Sequence, residues 1–397
     1  MPNYPRVREQ NIAVFGEAGS GKTVLLSSFF GPTQEGSYHN DLWDLVALQA
    51  GQGHRLYSNY LGMRDNAAAP LQTRFKSTTY QFSVKLKSGS KEELKKRPFD
   101  ELRLAWHDYP GEWFTEDLDG AEEQRRRTET WRTLLRSDVA LILVDGQKLL
   151  DYRGEEERYL KSLLGNLRQN IMRVKEELLA DNDRLVEFPR IWVLALSKAD
   201  LLPDWDVDRF RDLVILKAAD DLNRLRTTIG DLIQTPEALS IGDDFLLLSS
   251  ARFQVDTDNH SPIAIDVTKR VGLDLILPIA ALLPLERRVQ WEQQMSIPRK
   301  VVDSLADGAE VIAAALTGET FNRVEKLLHK LARNNIQAEI ASVGLSFLVQ
   351  AVETVGPKLK EVNEQARAKN SKLRATLTQF KLDLEQGIAE KKLRTSK

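Results

Sequence analysis

Residues 16–23 read Gly-Glu-Ala-Gly-Ser-Gly-Lys-Thr, a full match to G-x-x-x-x-G-K-[S/T]. A short apolar run, residues 11–15, precedes them, and an apolar-periodic segment follows. Strand, glycine loop and helix is the context in which this pattern has a mechanical meaning. Glycines let the backbone wrap closely, so that successive N–H groups point inward as an anion nest. A helix beginning near Gly21 adds its positive N-terminal end. Gly16, Glu17, Ala18, Gly19, Ser20 and Gly21 are therefore expected to cradle a phosphate chain. Lys22 is placed to reach β- and γ-phosphates, and the Thr23 hydroxyl to bind Mg²⁺. The loop is expected to hold a nucleoside triphosphate.

The rest of the chain can build a scaffold around such a loop. Runs at 11–15, 139–145, 191–197 and 245–249 are nearly continuous in apolar residues, the pattern of parallel strands covered on both faces. Residues 80–86 and 102–108 alternate, which suits strands with one wetter face, and the lysine-rich stretch between them reads as a long hairpin connection. Helical patterns occupy roughly 21–30, 119–136, 153–181, 206–230 and 272–292. Pro278 falls early in the last, where a helix starting near Asp274 tolerates it. Alternation of strand and helix predicts an α/β fold with a mostly parallel sheet. After about residue 297 no further strand is evident, and amphipathic helices are expected to the end. The boundary is placed there, giving a 1–296 nucleotide-binding domain with a long insertion at about 31–78, and a helical 297–397 domain.

Composition narrows the function classes. A net charge of −2 offers no general attraction to nucleic acid or acidic membranes. The chain has no cysteine, hence neither disulfides nor thiolate metal sites, and a cytoplasmic location is expected. The N-terminal residues lack a signal-peptide core, and no apolar run is long enough to span a bilayer. The five histidines lack ligand spacing.

Three further elements follow the loop in order. Asp108-x-x-Gly111 ends one strand, offering a carboxylate for Mg²⁺ and an amide for a γ-phosphate. Ser197-Lys198-x-Asp200 ends another. A carboxylate there can accept hydrogen bonds from guanine N1–H and its exocyclic amine, which adenine cannot supply. Ser250-Ala251-Arg252 ends the next, where the Ala251 N–H can meet the guanine carbonyl. Each signal is weak alone. Four in series, each at a strand's C-terminal end, point to one ligand site.

With these motifs, residues 11–292 resemble the Ras-like, translation-factor-related P-loop GTPases, in a larger prokaryotic-type form with a C-terminal helical extension. The resemblance implies a P-loop NTPase sheet with helices on both faces, then an all-α region. It implies GTP or GDP with Mg²⁺, base selection by Asp200, packing of Lys198 along the base, and Asp108 as the metal-linked acid. Three departures stand out: Ser197 in place of the usual Asn, Glu112 where a water-orienting glutamine is usual, and Ala18 at a position often glycine. The resemblance also calls for a switch threonine on metal and γ-phosphate. Thr73, Thr78 and Thr79 all qualify, with Thr73 favoured.

The segment 40–65 looks partly helical, suiting a lid or docking surface, and Arg55, Arg64 and Arg74 are candidates for an arginine finger. Arg125, Arg126 and Arg127 read as a solvated face paired with Glu122, Glu123 and Glu129. The tail's apolar faces are expected to dock on the nucleotide-binding domain. The leading expectation is a nucleotide-dependent switch with slow GTP hydrolysis, using Lys22, Thr73 and Glu112 in catalysis. Its switch segments and helical tail would meet a protein effector or regulator, without nucleic acid or stable membrane contact. The alternatives are a GTP-dependent self-assembling protein, dynamin-like in behaviour, a non-hydrolysing nucleotide-bound scaffold, and an adenine-specific P-loop NTPase.

Overall fold

Two of the four buried runs become strands covered at every position, β5 (Val139–Asp145) and β6 (Ile191–Ser197) in the numbering that follows. The computed structural model describes residues 7–70, 77–96, 99–108, 111, 120–179, 184–185, 191–234, 236–255, 262–294 and 355–395. In chain order these form β1 (Val7–Phe15), α1 (Lys22–Phe30), β2 (Trp43–Ala47), α2 (Ala50–Asn66), β3 (Thr78–Leu86), α3 (Lys91–Lys96) and β4 (Glu101–Asp108). Next come α4 (Ala121–Leu134), β5, α5 (Gly146–Asp151), α6 (Glu156–Arg173), α7 (Lys175–Leu178), β6, α8 (Val207–Gly230) and β7 (Ser240–Leu247). A hairpin, β8 (Arg252–Val255) and β9 (Pro262–Asp266), precedes α9 (Ile276–Gln294), α10 (Val355–Ala368), α11 (Lys372–Ala389) and β10 (Leu393–Arg394).

One eight-stranded sheet runs in the order β10-β7-β6-β5-β1-β4-β3-β2. Its centre is parallel, β4-β1-β5-β6-β7. β3 and β2 are antiparallel at one edge, and β10 at the other. Burial divides the helices between the two faces. Leu25, Leu26 and Phe29 of α1, Ile276–Leu283 of α9 and Leu373, Leu377, Phe380 and Leu384 of α11 share one apolar cluster with Ile12, Val14 and Leu141. Trp131, Leu163, Leu167, Phe210 and Val214 of α4, α6 and α8 share the other with Ala13, Phe15 and Ile142. Alternate residues of β1 and β5 thus feed opposite cores, as a period of two requires. Fully burying each such side chain contributes about 1.5–3 kcal/mol.

Several expectations shift in detail. Residues 43–47 pair with β3 as an edge strand, because Trp43, Leu45 and Ala47 turn toward the core face while Asp44 and Val46 face out; only residues 50–66 of that segment are helical. β1 begins at Val7, where its polar residues are supported by β4 on one side, and β7 begins at Ser240. The stretch between β3 and β4 carries the short helix α3. Past residue 297 there is a strand after all: β10, held by Leu393 opposite Leu246, is supplied by backbone pairing rather than by pattern. α11 docks on the sheet, and Lys391 and Arg394 bind Asp206 and Asp208 at the start of α8. The expected boundary near 297, with tail positions 301–352, lies outside the described residues. Arg125 and Arg126 pair with Glu129 and Glu122 on an exposed face, but Arg127 is buried.

Candidate nucleotide site

Every motif singled out in the sequence emerges at the C-terminal edge of the parallel strands. Val14 pairs with Asp108, Phe15 with Ile142, and Asp145 with Ser197, which sets the strand ends level. α1 leaves β1 toward one face, while α5 and α6 leave β5 toward the other. The crevice between β1 and β5 is therefore a topological switch point, where open α/β sheets bind ligands.

The glycine loop starts from a fixed base. Phe15 stacks between Trp131 and Trp192, with centroids 5.3 and 5.4 Å away. Ser20 N–H donates to the Glu17 carbonyl at 3.2 Å, closing the turn. Gly21 caps α1 at φ +90, ψ 11, a left-handed conformation that costs a residue with Cβ about 1–2 kcal/mol. The Lys22 ammonium folds back over the loop, donating to the carbonyls of Gly16 (2.6 Å) and Glu17 (3.1 Å). Ala18 and Gly19 are exposed at the loop's tip, and Thr23 is half-buried in the first turn of α1.

Asp108 is buried at the end of β4. Its neighbour His107 bridges strands, meeting Asn11 Oδ1 and Thr79 Oγ1 at 3.0 Å each. Burial pushes the His107 imidazole down to about 4, so it adds no positive charge beside Asp108 at neutral pH. Asn11 N–H in turn donates to Asp138 Oδ2 at 2.7 Å; burial nevertheless raises that carboxyl to about 6. Gly111 lies pressed on the glycine loop. A Cβ there would sit 2.2 Å from the Ala18 nitrogen, so only glycine permits this approach. Among the switch threonines, Thr79 is committed to His107 and Thr78 pairs with Asp108 at the start of β3. Thr73, Glu112 and Arg74 lie outside the described residues. Arg55 bonds the Tyr80 hydroxyl and Arg64 bonds Glu35 and Asp65, so neither of these arginines is aimed at the loop.

The second half of the site is built from the ends of β6 and β7. Asp200 lies in a single 3₁₀ turn after Lys198, which takes φ +54. Its Oδ1 accepts from Ser249 Oγ at 2.7 Å and its Oδ2 from Phe253 N at 3.4 Å. Ala199 N–H donates to Leu248 O at 3.1 Å, stitching the two loops together. Ser250 and Ala251 are buried beside them, and Arg252 is exposed at the start of β8. The Lys198 ammonium binds Asp145 Oδ2 at 2.8 Å. The Ser197 hydroxyl donates into the sheet, to Val144 O at 3.3 Å.

The residues fit a nucleotide: a closed loop with a lysine over it, a helix N-terminus, a buried carboxylate, and a held Asp200. The model of the Double-GTPase 2 family matches residues 10–229, more than half of the chain. The chain belongs to the Double-GTPase 2 family. This P-loop family accounts for the α/β sheet and the placement of the loop after β1. The chain is also 28% identical, over 186 residues, to the spermidine/putrescine import ATP-binding protein PotA of Legionella pneumophila strain Paris, and 27% identical to that of strain Lens. Those alignments cover 45% of this chain and 48% of each relative, so the chain spans about half the length of the curated relatives it matches.

Asp145, Lys148 and Tyr159 adjoin these residues although no motif names them: Asp145 meets Lys198, and Lys148 meets Glu17 and the Tyr159 ring. Asp145 had one visible signal, as the acidic residue that ends an otherwise apolar strand.

Proposed function

We propose that this Double-GTPase 2 protein is a guanine-nucleotide-dependent switch of the Ras-like type that hydrolyses GTP slowly. The observation carrying this reading is the held carboxylate of Asp200, on the same sheet edge as the phosphate loop and steadied by Ser249 and Phe253. Carboxylate oxygens so oriented suit the two adjacent donors of guanine. Lys198, fixed by Asp145, would lie along the base, and Ala251 would supply an N–H to its carbonyl. Lys22 would neutralise the β- and γ-phosphates. Thr23 and Asp108 would hold Mg²⁺, which when bound shields charge on the phosphate oxygens. Water attacks the γ-phosphorus as the bond to the β–γ bridging oxygen breaks. Thr73 and Glu112 are the residues proposed to serve that water, with Gly111 sensing the γ-phosphate. A carboxylate at 112 cannot donate to the phosphate, so turnover is slow. The 31–79 and 109–120 segments would then present the nucleotide state to a protein partner in the cytoplasm. Among the described residues no helix is long and apolar enough to cross a membrane.

A second reading, an adenine-specific NTPase, draws on Ser197, whose hydroxyl is spent on Val144 O, and on the ATP-binding relatives. Hydrolysis assays decide between them. With Mg²⁺, GTP should be converted slowly to GDP and phosphate, and chelation of the metal should stop the reaction. Turnover of ATP in preference to GTP would contradict the proposal.

A further inference from the structure

Glu17 is an odd residue for its place. It is the second residue of a loop read as a polyphosphate cradle, and its side chain is only 8% exposed. A buried carboxylate beside phosphates repels them, and in a partly desolvated site that repulsion is weakly screened. Among the described residues a lysine meets it. Lys148 Nζ lies 2.6 Å from Glu17 Oε2, reaching in from α5. Buried charges persist in proteins when paired in this way.

The seat of Lys148 is well defined. Its ammonium sits 5.7 Å from the centroid of the Tyr159 ring, a cation–π distance. The Tyr159 hydroxyl accepts from Asp145 N–H at 2.8 Å. Asp145 caps α5, its Oδ1 accepting from Gln147 N at 2.9 Å, and its Oδ2 accepts from Lys198 Nζ at 2.8 Å. Only Gly146 and Gln147 thus separate the carboxylate that holds Lys198 from the lysine that holds the phosphate loop. Glu17 itself carries the loop's internal bonds, its carbonyl accepting from Ser20 N–H and from Lys22. A change in its side-chain charge acts directly on the backbone that would receive phosphate.

We propose that Lys148 is a positioning residue of the nucleotide site: by neutralising Glu17 it makes the phosphate loop electrostatically competent, and through α5 it ties that loop to Lys198 on the base side. The inference rests on the nucleotide-binding reading above, and one set of titrations separates the two. GTP and GMP are titrated calorimetrically, with Mg²⁺ at fixed ionic strength, into wild type, Lys148→Met, Glu17→Gln and the double variant, with melting temperatures measured in parallel. Lys148→Met should weaken GTP about 10- to 100-fold, the scale of one uncompensated charge near the ligand. It should weaken GMP less, because the repulsion grows with phosphate charge. The double variant, with no charge at either position, should return to within about three-fold of wild type, since its neutral pair leaves nothing uncompensated.

A merely structural pair behaves otherwise: both variants lose melting temperature, GTP and GMP weaken together, and the double variant stays weak. That pattern overturns the inference, as does unchanged GTP affinity in Lys148→Met. Should Lys148→Met fail to fold, Glu17→Gln decides, since removing the negative charge must leave GTP binding as tight as wild type or tighter. Wild type that binds no nucleotide overturns the functional reading, and this inference with it.

Discussion

Arg287→Ala is expected to destabilise the protein by about 3–5 kcal/mol, the cost of breaking a buried ion pair from one side. Arg287 of α9 binds Asp244 of β7, and their side chains are 5% and 0% exposed. Asp244 also accepts from Ser240 Oγ at 2.6 Å, a neutral donor that cannot cancel its charge. Truncating the arginine takes away the buried guanidinium that meets this carboxylate between the sheet and α9. In a protein of 397 residues that loss should lower the melting temperature by roughly 4–6 °C, at about 1.2 °C per kcal/mol from an unfolding entropy of about 2.1 cal/mol/K per residue. The neutral pair Asp244→Asn with Arg287→Met should recover most of it, because hydrophobic or neutral replacement of a whole buried pair is often tolerated. Urea unfolding of wild type and these two variants checks both statements. A single-variant cost under about 1 kcal/mol would place the pair among weak surface bridges instead.

The second large effect concerns catalysis. Lys22→Ala should reduce the GTP hydrolysis rate by roughly 10²–10³-fold, the loss typical of deleting one donor aimed at developing charge. Its binding effect should be selective, large for GTP and small for guanosine, because the ammonium acts on phosphates alone. Lys22→Arg should not restore the rate. The lysine lies folded over the loop on two carbonyls, and a planar guanidinium cannot take that point-charge position. Single-turnover rates with matched titrations measure this. Equal losses for GTP and guanosine would mean that the substitution had disrupted the loop as a whole.

How much was legible from sequence depends on where each feature draws its stability. β5 and β6 are apolar at almost every position because both faces are covered, and such runs announce themselves. β10 is a two-residue edge strand whose pairing comes from a neighbour's backbone, and β2 is an edge strand of five residues, too short for its alternation to stand out in sequence. The β8–β9 hairpin is short, and its pairing leaves as little trace in the sequence. The glycine loop was readable because its chemistry is local to eight consecutive residues. The bond between Lys148 and Glu17 spans 131 positions, and no periodicity or spacing can predict it. Ser197 is the instructive middle case. Its position in the motif was evident, yet the direction of its hydroxyl depended on the neighbouring strand carbonyl of Val144. Arg55 and Arg64 show the same limit: candidates by type, they are spent on Tyr80 and on Glu35 with Asp65.

The central claim is that the phosphate loop and the Asp200 segment form one guanine site. Equilibrium binding of GTP, GDP and ATP, each with Mg²⁺, to wild type and to Asp200→Asn tests it most directly. GTP and GDP should bind at least about 100-fold more tightly than ATP, since a site built to receive hydrogen-bond donors rejects a base that lacks them. Asp200→Asn should erase that preference while leaving ATP affinity unchanged. Equal binding of ATP and GTP to wild type, or an unaltered preference in the variant, would contradict the account.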